Sequence, residues 1–131
     1  MIVTKDIEQI MIDALTQLMD VRSIFVTDDV PDGSVESERI VLHVKQSSVE
    51  TYFDRCFVEV NYAVPDIGDA PDAAGLRDAE RALAGFLGET HVGKSDGTWY
   101  RFSLMSHQVL KSELHCHYVN ARVLFEILNV I

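Results

Sequence analysis

A two-residue hydrophobic period returns in four separate stretches of this chain. Side chains that alternate in this way point to opposite faces of a strand. From residue 39 to 45, Ile40, Leu42 and Val44 alternate with Arg39, Val41, His43 and Lys45. From 56 to 64, Cys56, Val58, Val60, Tyr62 and Val64 alternate with Phe57, Glu59, Asn61 and Ala63, and Pro65 and Asp66 end the run. Tyr100, Phe102 and Leu104 alternate with Trp99, Arg101 and Ser103, and Val119, Ala121, Val123, Phe125 and Ile127 alternate with Tyr118, Asn120, Arg122, Leu124 and Glu126. Four half-buried strands are expected, with a short fifth over the β-branched residues 23–27.

Two segments carry the three-and-four spacing of amphipathic helices instead. Ile7, Ile10, Met11, Ala14, Leu15, Leu18 and Met19 predict a helix over residues 5–20, with Thr4 as cap and Asp6 and Glu8 in its first turn. Leu76, Ala79, Leu83, Phe86 and Leu87 predict a second, capped by Asp69 or Asp72 and stopped by Gly88 in the left-handed conformation. The order αβββαββ lacks regular βαβ alternation. We therefore expect one α+β domain spanning residues 1–131, with two helices on a mainly antiparallel (mixed) sheet of about five strands.

Composition narrows the function classes. With 131 residues, 47% of them apolar, the chain suits a single core. No apolar run approaches the roughly 18–20 residues of a membrane span, and Asp6, Glu8 and Asp13 interrupt the region where a signal peptide needs apolar residues. A cytoplasmic protein with no membrane partner is expected. The 21 acidic and 11 basic residues give a net charge of -10. That opposes binding to phosphate backbones, and a reader of nucleic acid would need a strongly localised basic face, which the sequence does not reveal, so no sequence-specific nucleic-acid partner is expected.

The residues that could carry chemistry each meet an obstacle. Gly88-Glu89-Thr90-His91-Val92-Gly93-Lys94-Ser95 satisfies the G-x-x-x-x-G-K-S/T form of a phosphate-binding loop letter for letter. That chemistry needs a strand before the loop and a helix starting at the lysine. Here a helix precedes and a strand pattern follows, so Gly88 reads as a helix stop and residues 93–97 as a turn. His107, His115 and His117 could bind zinc if they shared a face. A hairpin turn centred on Lys111 and Ser112 sets Tyr100, Phe102 and Leu104 against Val123, Ala121 and Val119. It also sets His115 and His117 opposite Gln108 and Ser106 and leaves His107 on the other face, opposite Cys116, which splits the trio.

Cys56 is expected in the core and Cys116 to point away from it, both as reduced thiols. The acidic loop from Asp28 fails the calcium-loop spacing, with Val30 at position three and Arg39 at position twelve. No catalytic, cofactor-binding or metal-ligating residue is therefore assigned. Tyr52 and Phe53, in an otherwise polar loop, either anchor a partner or fold back over the sheet. Trp99, which alternation places opposite Leu124, is a further candidate contact unless a helix covers it.

The segment Asp29 to Ser34, the strand 39–45, and Phe57-Val58-Glu59-Val60-Asn61-Tyr62-Ala63-Val64-Pro65-Asp66, followed by a helix and a long final hairpin, resemble bacteriophage tail-terminator and neck (head-tail joining) proteins. Val58-Glu59-Val60-Asn61-Tyr62 looks like their central strand. The resemblance spans residues 5–130 in element order and transfers no catalytic residue. It implies a small α+β subunit assembling as a homo-oligomeric ring, often a hexamer, at the end of a tail tube or at its junction with the head. Tail-tube or connector proteins would be its partners, and DNA would pass through unread. Such a protein resides in the bacterial cytoplasm during assembly and then in the virion tail. Two other classes compete: a small metal- or nucleotide-binding enzyme using the His107/His115/His117 hairpin or the Gly88 to Ser95 loop, and a generic adaptor domain.

Overall fold

The computed structural model describes residues 1–45 and 55–128. Helix α1 (Thr4–Leu15) leads through a short turn to β1 (Ile24–Val26), then β2 (Arg39–Lys45) and β3 (Arg55–Pro65). Helix α2 (Ala73–Leu87) precedes β4 (His91–Ser95), β5 (Thr98–Ser112) and β6 (Cys116–Leu128). The six strands form one mixed sheet in the order β1-β2-β3-β6-β5-β4, parallel at β1–β2 and antiparallel elsewhere. The class is α+β, with one strand more than expected and the order αβββαβββ.

The added strand is β4, in the segment expected to turn. Its composition gives little strand signal, since Gly93, Lys94 and Ser95 lack strand preference. Pairing makes it a strand. Asp96 and Gly97, both at positive φ (47° and 74°), form a two-residue turn that pairs Ser95 with Thr98. Gly93 is opposite Tyr100, where a Cβ would collide with the tyrosine ring.

Both helices bury their apolar stripes against one face of the sheet. Ile7, Met11 and Leu15 of α1 and Leu76, Ala79, Leu83 and Leu87 of α2 join Val58, Val60, Ala121, Val123 and Phe125 in one core. Phe125 is fully buried, stacked 5.3 Å from Tyr100 and 5.9 Å from Phe102. The sheet curls so that its β4 end returns to α1, where the Met1 ammonium bonds Asp96 at 2.6 Å.

Helix boundaries differ from expectation for local reasons. At the start of α1 the cap is Val3 rather than Thr4: the Val3 N–H donates to the Asp6 carboxylate at 2.9 Å. The helix ends at Leu15, because the Thr16 hydroxyl donates back to the Asp13 carbonyl and the next turn tightens to a Leu18-to-Leu15 bond. Asp72, not Asp69, caps α2 through the Gly75 N–H at 3.0 Å. Gly88 is right-handed (φ -65°), not left-handed. A glycine is needed there for close approach, since a Cβ would lie 2.5 Å from the Ala84 carbonyl oxygen.

The final hairpin also turns later than expected, at Glu113, Leu114 and His115, with His115 at φ 56°. Tyr100, Phe102 and Leu104 consequently face Ile127, Phe125 and Val123, and Trp99 faces Leu128 rather than Leu124. This register stacks three aromatic rings in the core, whereas the expected one sets Tyr100 and Phe102 against Val123 and Ala121. The turn is pinned from outside: the Val35 N–H donates to the Leu114 carbonyl and the Asp66 N–H to that of His115, each at 2.9 Å. A bulge at Met105 then reverses the phase of β5, so that His107 faces Ala121 and Val109 faces Val119.

Two stability predictions follow from the core and its border. Phe125→Ala should cost about 3–5 kcal/mol in urea unfolding. The Tyr62 hydroxyl donates to Glu38 at 3.0 Å. Burial, and then this bond, push its phenol from 10.0 up to about 12. The folded chain thus keeps a proton that the unfolded chain releases, and the stabilisation is whole below pH 10.0 and is lost as pH rises toward about 12. Tyr62→Phe should be less stable at neutral pH by about 1 kcal/mol. Its deficit should shrink across that alkaline window in unfolding titrations.

Candidate functional site

Because both helices occupy one face of the sheet, the described residues leave the other face free of helices. Pairing assigns it rung by rung. His43, Glu59, Arg122 and Ser106 form one row across β2, β3, β6 and β5, and Lys45, Phe57, Leu124 and Ser103 the next. Arg55, Glu126, Arg101 and Val92 form a third, and Leu128, Trp99 and Lys94 a fourth. Arg39 lies on the same face opposite Ala63.

Six of the chain's 11 lysine and arginine residues therefore share this face: Arg39, Lys45, Arg55, Lys94, Arg101 and Arg122. Among the described residues the strands contribute only Glu59 and Glu126 as carboxylates there. Glu59 holds Lys45 at 3.0 Å, and Glu126 holds Arg101 at 2.9 Å. Arg122 instead stacks 3.8 Å over the Phe57 ring, and the Lys94 ammonium is 5.6 Å from the centre of the Trp99 ring. Sequence reading found no localised basic region. These cations are far apart along the chain, and the pleat together with strand order gathers them.

Residues 1–38 contain nine carboxylates against Lys5 and Arg22. Glu8 bonds Lys5 at 2.9 Å and, with Asp28 and Asp29 adding to its effect, holds the Lys5 amine above its usual range. Asp20 caps the turn at Val21–Ser23 and pairs with Arg22 at 3.2 Å, which holds its carboxyl below the usual range.

One end of the helix-free face is covered. Val35 crosses it and packs with Ala63, Cys116 and Tyr118 in a small second core. Cys116 does point away from the main core, as its position in the alternation requires, yet it is only 1% exposed because that loop covers it. Burial raises its thiol, and burial pushes Cys56 up to about 11. Both are free thiols. Nearby, Asn120 donates to Asn61 at 2.6 Å, while the Arg39 Nε is buried without a partner.

The other sequence candidates do not converge. His107 contacts Glu80 at 2.8 Å, His117 contacts Asp66 at 2.7 Å, and His115 sits in the hairpin turn. His117 faces Lys111 and His107 faces Ala121, not the partners expected from the earlier register. Among the described residues no group of three His, Cys, Asp or Glu side chains could hold a metal ion. Gly93, Lys94 and Ser95 are extended strand residues followed by a tight turn, so they lack the helix N-terminus a phosphate loop uses. A groove of about 540 Å³ separates Ile10, Asp13 and Ala14 of α1 from His91, Tyr100 and Phe102. His91 faces it, contacting the Phe86 carbonyl at 2.7 Å and stacking on Phe102 at 4.8 Å. Trp99 is 46% exposed. Tyr52 and Phe53 lie outside the described residues.

No family model and no curated protein matches this sequence. The backbone is similar to that of a solved protein bearing no functional name. The TM-score is 0.62 at 16% identity, over 95% of this chain and 92% of the other. That likeness establishes the fold alone. Among the described residues no helix is long and apolar enough to cross a membrane.

Native protein should leave Cys56 and Cys116 unreactive toward a thiol-disulfide reagent, with both thiols titrating once urea unfolds the chain. Fast labelling of either in folded protein would contradict their burial.

Proposed function

We propose that this chain is a non-enzymatic structural subunit of a phage or prophage tail, assembling as a ring at the end of the tail tube. The observation that carries the reading is the helix-free sheet face. A broad surface mixing cations with the partly exposed Phe57, Leu124, Leu128 and Trp99 is built for contact with another macromolecule.

Two further observations support it. β5 pairs with β4 only through Thr98–Phe102, so residues 103–112 form a long sheet edge with no strand beyond it among the described residues. Met105 and Val109 are exposed along that edge, which can accept another chain. The segment resembling the central strand of tail-terminator and neck proteins is β3, running into Pro65, Asp66 and then α2. In this reading the ring is a homo-oligomer, possibly a hexamer, with a tail-tube or connector protein as partner. It forms in the bacterial cytoplasm and ends in the virion tail, and genome passes through without being read.

Sedimentation from micromolar to millimolar concentration should show a discrete closed oligomer. Electron microscopy of the protein mixed with tail tubes should show caps at tube ends. A strict monomer that ignores tubes would refute the reading.

A further inference from the structure

The groove between α1 and β4 has two walls of different kinds. One is the open edge of a strand. Among the described residues β4 pairs with β5 alone, and the two-residue turn at Asp96 and Gly97 makes Ser95–Thr98 and Gly93–Tyr100 the hydrogen-bonded pairs. The main-chain N–H and C=O of Val92 and Lys94 therefore point outward, into the groove that these residues line. Their side chains alternate to the other face of the sheet, where the Lys94 ammonium lies near the Trp99 ring. The other wall is α1, which presents Asp6, Ile10 and Asp13 in one stripe. Asp6 accepts the Val3 N–H, and Asp13 accepts from the Gln9 amide at 2.7 Å. Neither carboxylate pairs with a cation among the described residues.

We propose that this groove binds an extended peptide segment of a partner protein, which adds to β4 as a further strand and carries lysine or arginine on either side of an apolar residue. The site is separate from the helix-free face, and the proposal does not depend on ring assembly. The outward N–H and C=O groups of Val92 and Lys94 recur at strand spacing, so they are matched by another extended main chain. The spacing along α1 sets the side chains. Asp6 and Asp13 are about 6 Å and 4.5 Å of helix rise from Ile10, while same-face side chains of a strand are about 6.6 Å apart. A peptide side chain resting on Ile10 thus brings those two places before and after it to the two carboxylates. These select positive charge, and an acidic segment would be repelled.

The probe is a labelled, acetylated and amidated seven-residue peptide with valine at its centre, lysine two places to either side and threonine elsewhere. Fluorescence anisotropy with the full chain should show saturable binding, and amide exchange at Val92 and Lys94 should slow in the complex. A twin peptide with glutamate in place of lysine should not bind. Val92→Pro removes one outward N–H and spares the bonds from Gly93 and Ser95 to β5, so binding should weaken about five- to tenfold. Asp13→Lys should weaken it about three- to tenfold. Circular dichroism melts report folding. If Val92→Pro does not fold, amide exchange in the wild type decides: unchanged rates at Val92 and Lys94 on adding peptide would overturn the proposal.

Absence of saturable binding at millimolar peptide, equal binding of the glutamate twin, or binding indifferent to both variants would also overturn it. Wild-type self-association that both variants abolish would assign the groove to a second copy of this chain and overturn the assignment to a partner protein.

Discussion

The pairing of β3 with β6 at the centre of the sheet supports everything else. Val58 against Val123 and Val60 against Ala121 are fully buried on the helix side, each valine worth about 1.5–3 kcal/mol of transfer from water. A slip of β3 by one residue in this pairing would exchange Val58 and Val60 for Phe57 and Glu59 on the helix side. The penalty for burying Glu59 there fixes the register. The same register places the basic residues together on the reverse face. Core and basic face are therefore two readings of one strand alignment.

Much of this was legible in the residues themselves. Alternation located β2, β3, β5 and β6, and the three-and-four stripes located both helices. The α+β class followed from their order. β4 was missed because its strand character comes from its partner: Gly93 makes room for Tyr100, and the Asp96-Gly97 turn folds the segment back. The hairpin turn was misplaced by the reasonable step of pairing apolar residues with apolar residues. Several registers satisfy that condition, and ring stacking between Tyr100, Phe102 and Phe125 selects among them.

The candidate surface was half legible. Alternation had already placed Arg39, Lys45, Arg101 and Arg122 off the apolar face of their own strands. What a single sequence withholds is which strands are neighbours, and β3 lies beside β6 although about 60 residues separate Glu59 from its partner Arg122. A search for basic runs cannot see charge assembled in that way. Cys116 has the same history: its direction followed from alternation, but its burial depends on Val35, which crosses from the opposite end of the chain.

The bulge at Met105 divides the final hairpin into two arms with different allegiances. Before it, β5 sends Tyr100, Phe102 and Leu104 inward; beyond it, odd-numbered residues take that side, and His107 reaches Glu80 on α2. Removing Met105 would leave each arm facing as it does now, with Leu104 still opposite Val123 and Ser106 still opposite Arg122. The extra residue is a splice: it joins two stretches whose apolar positions are out of step by one, so that a single side of the long hairpin stays turned toward the helices from end to end.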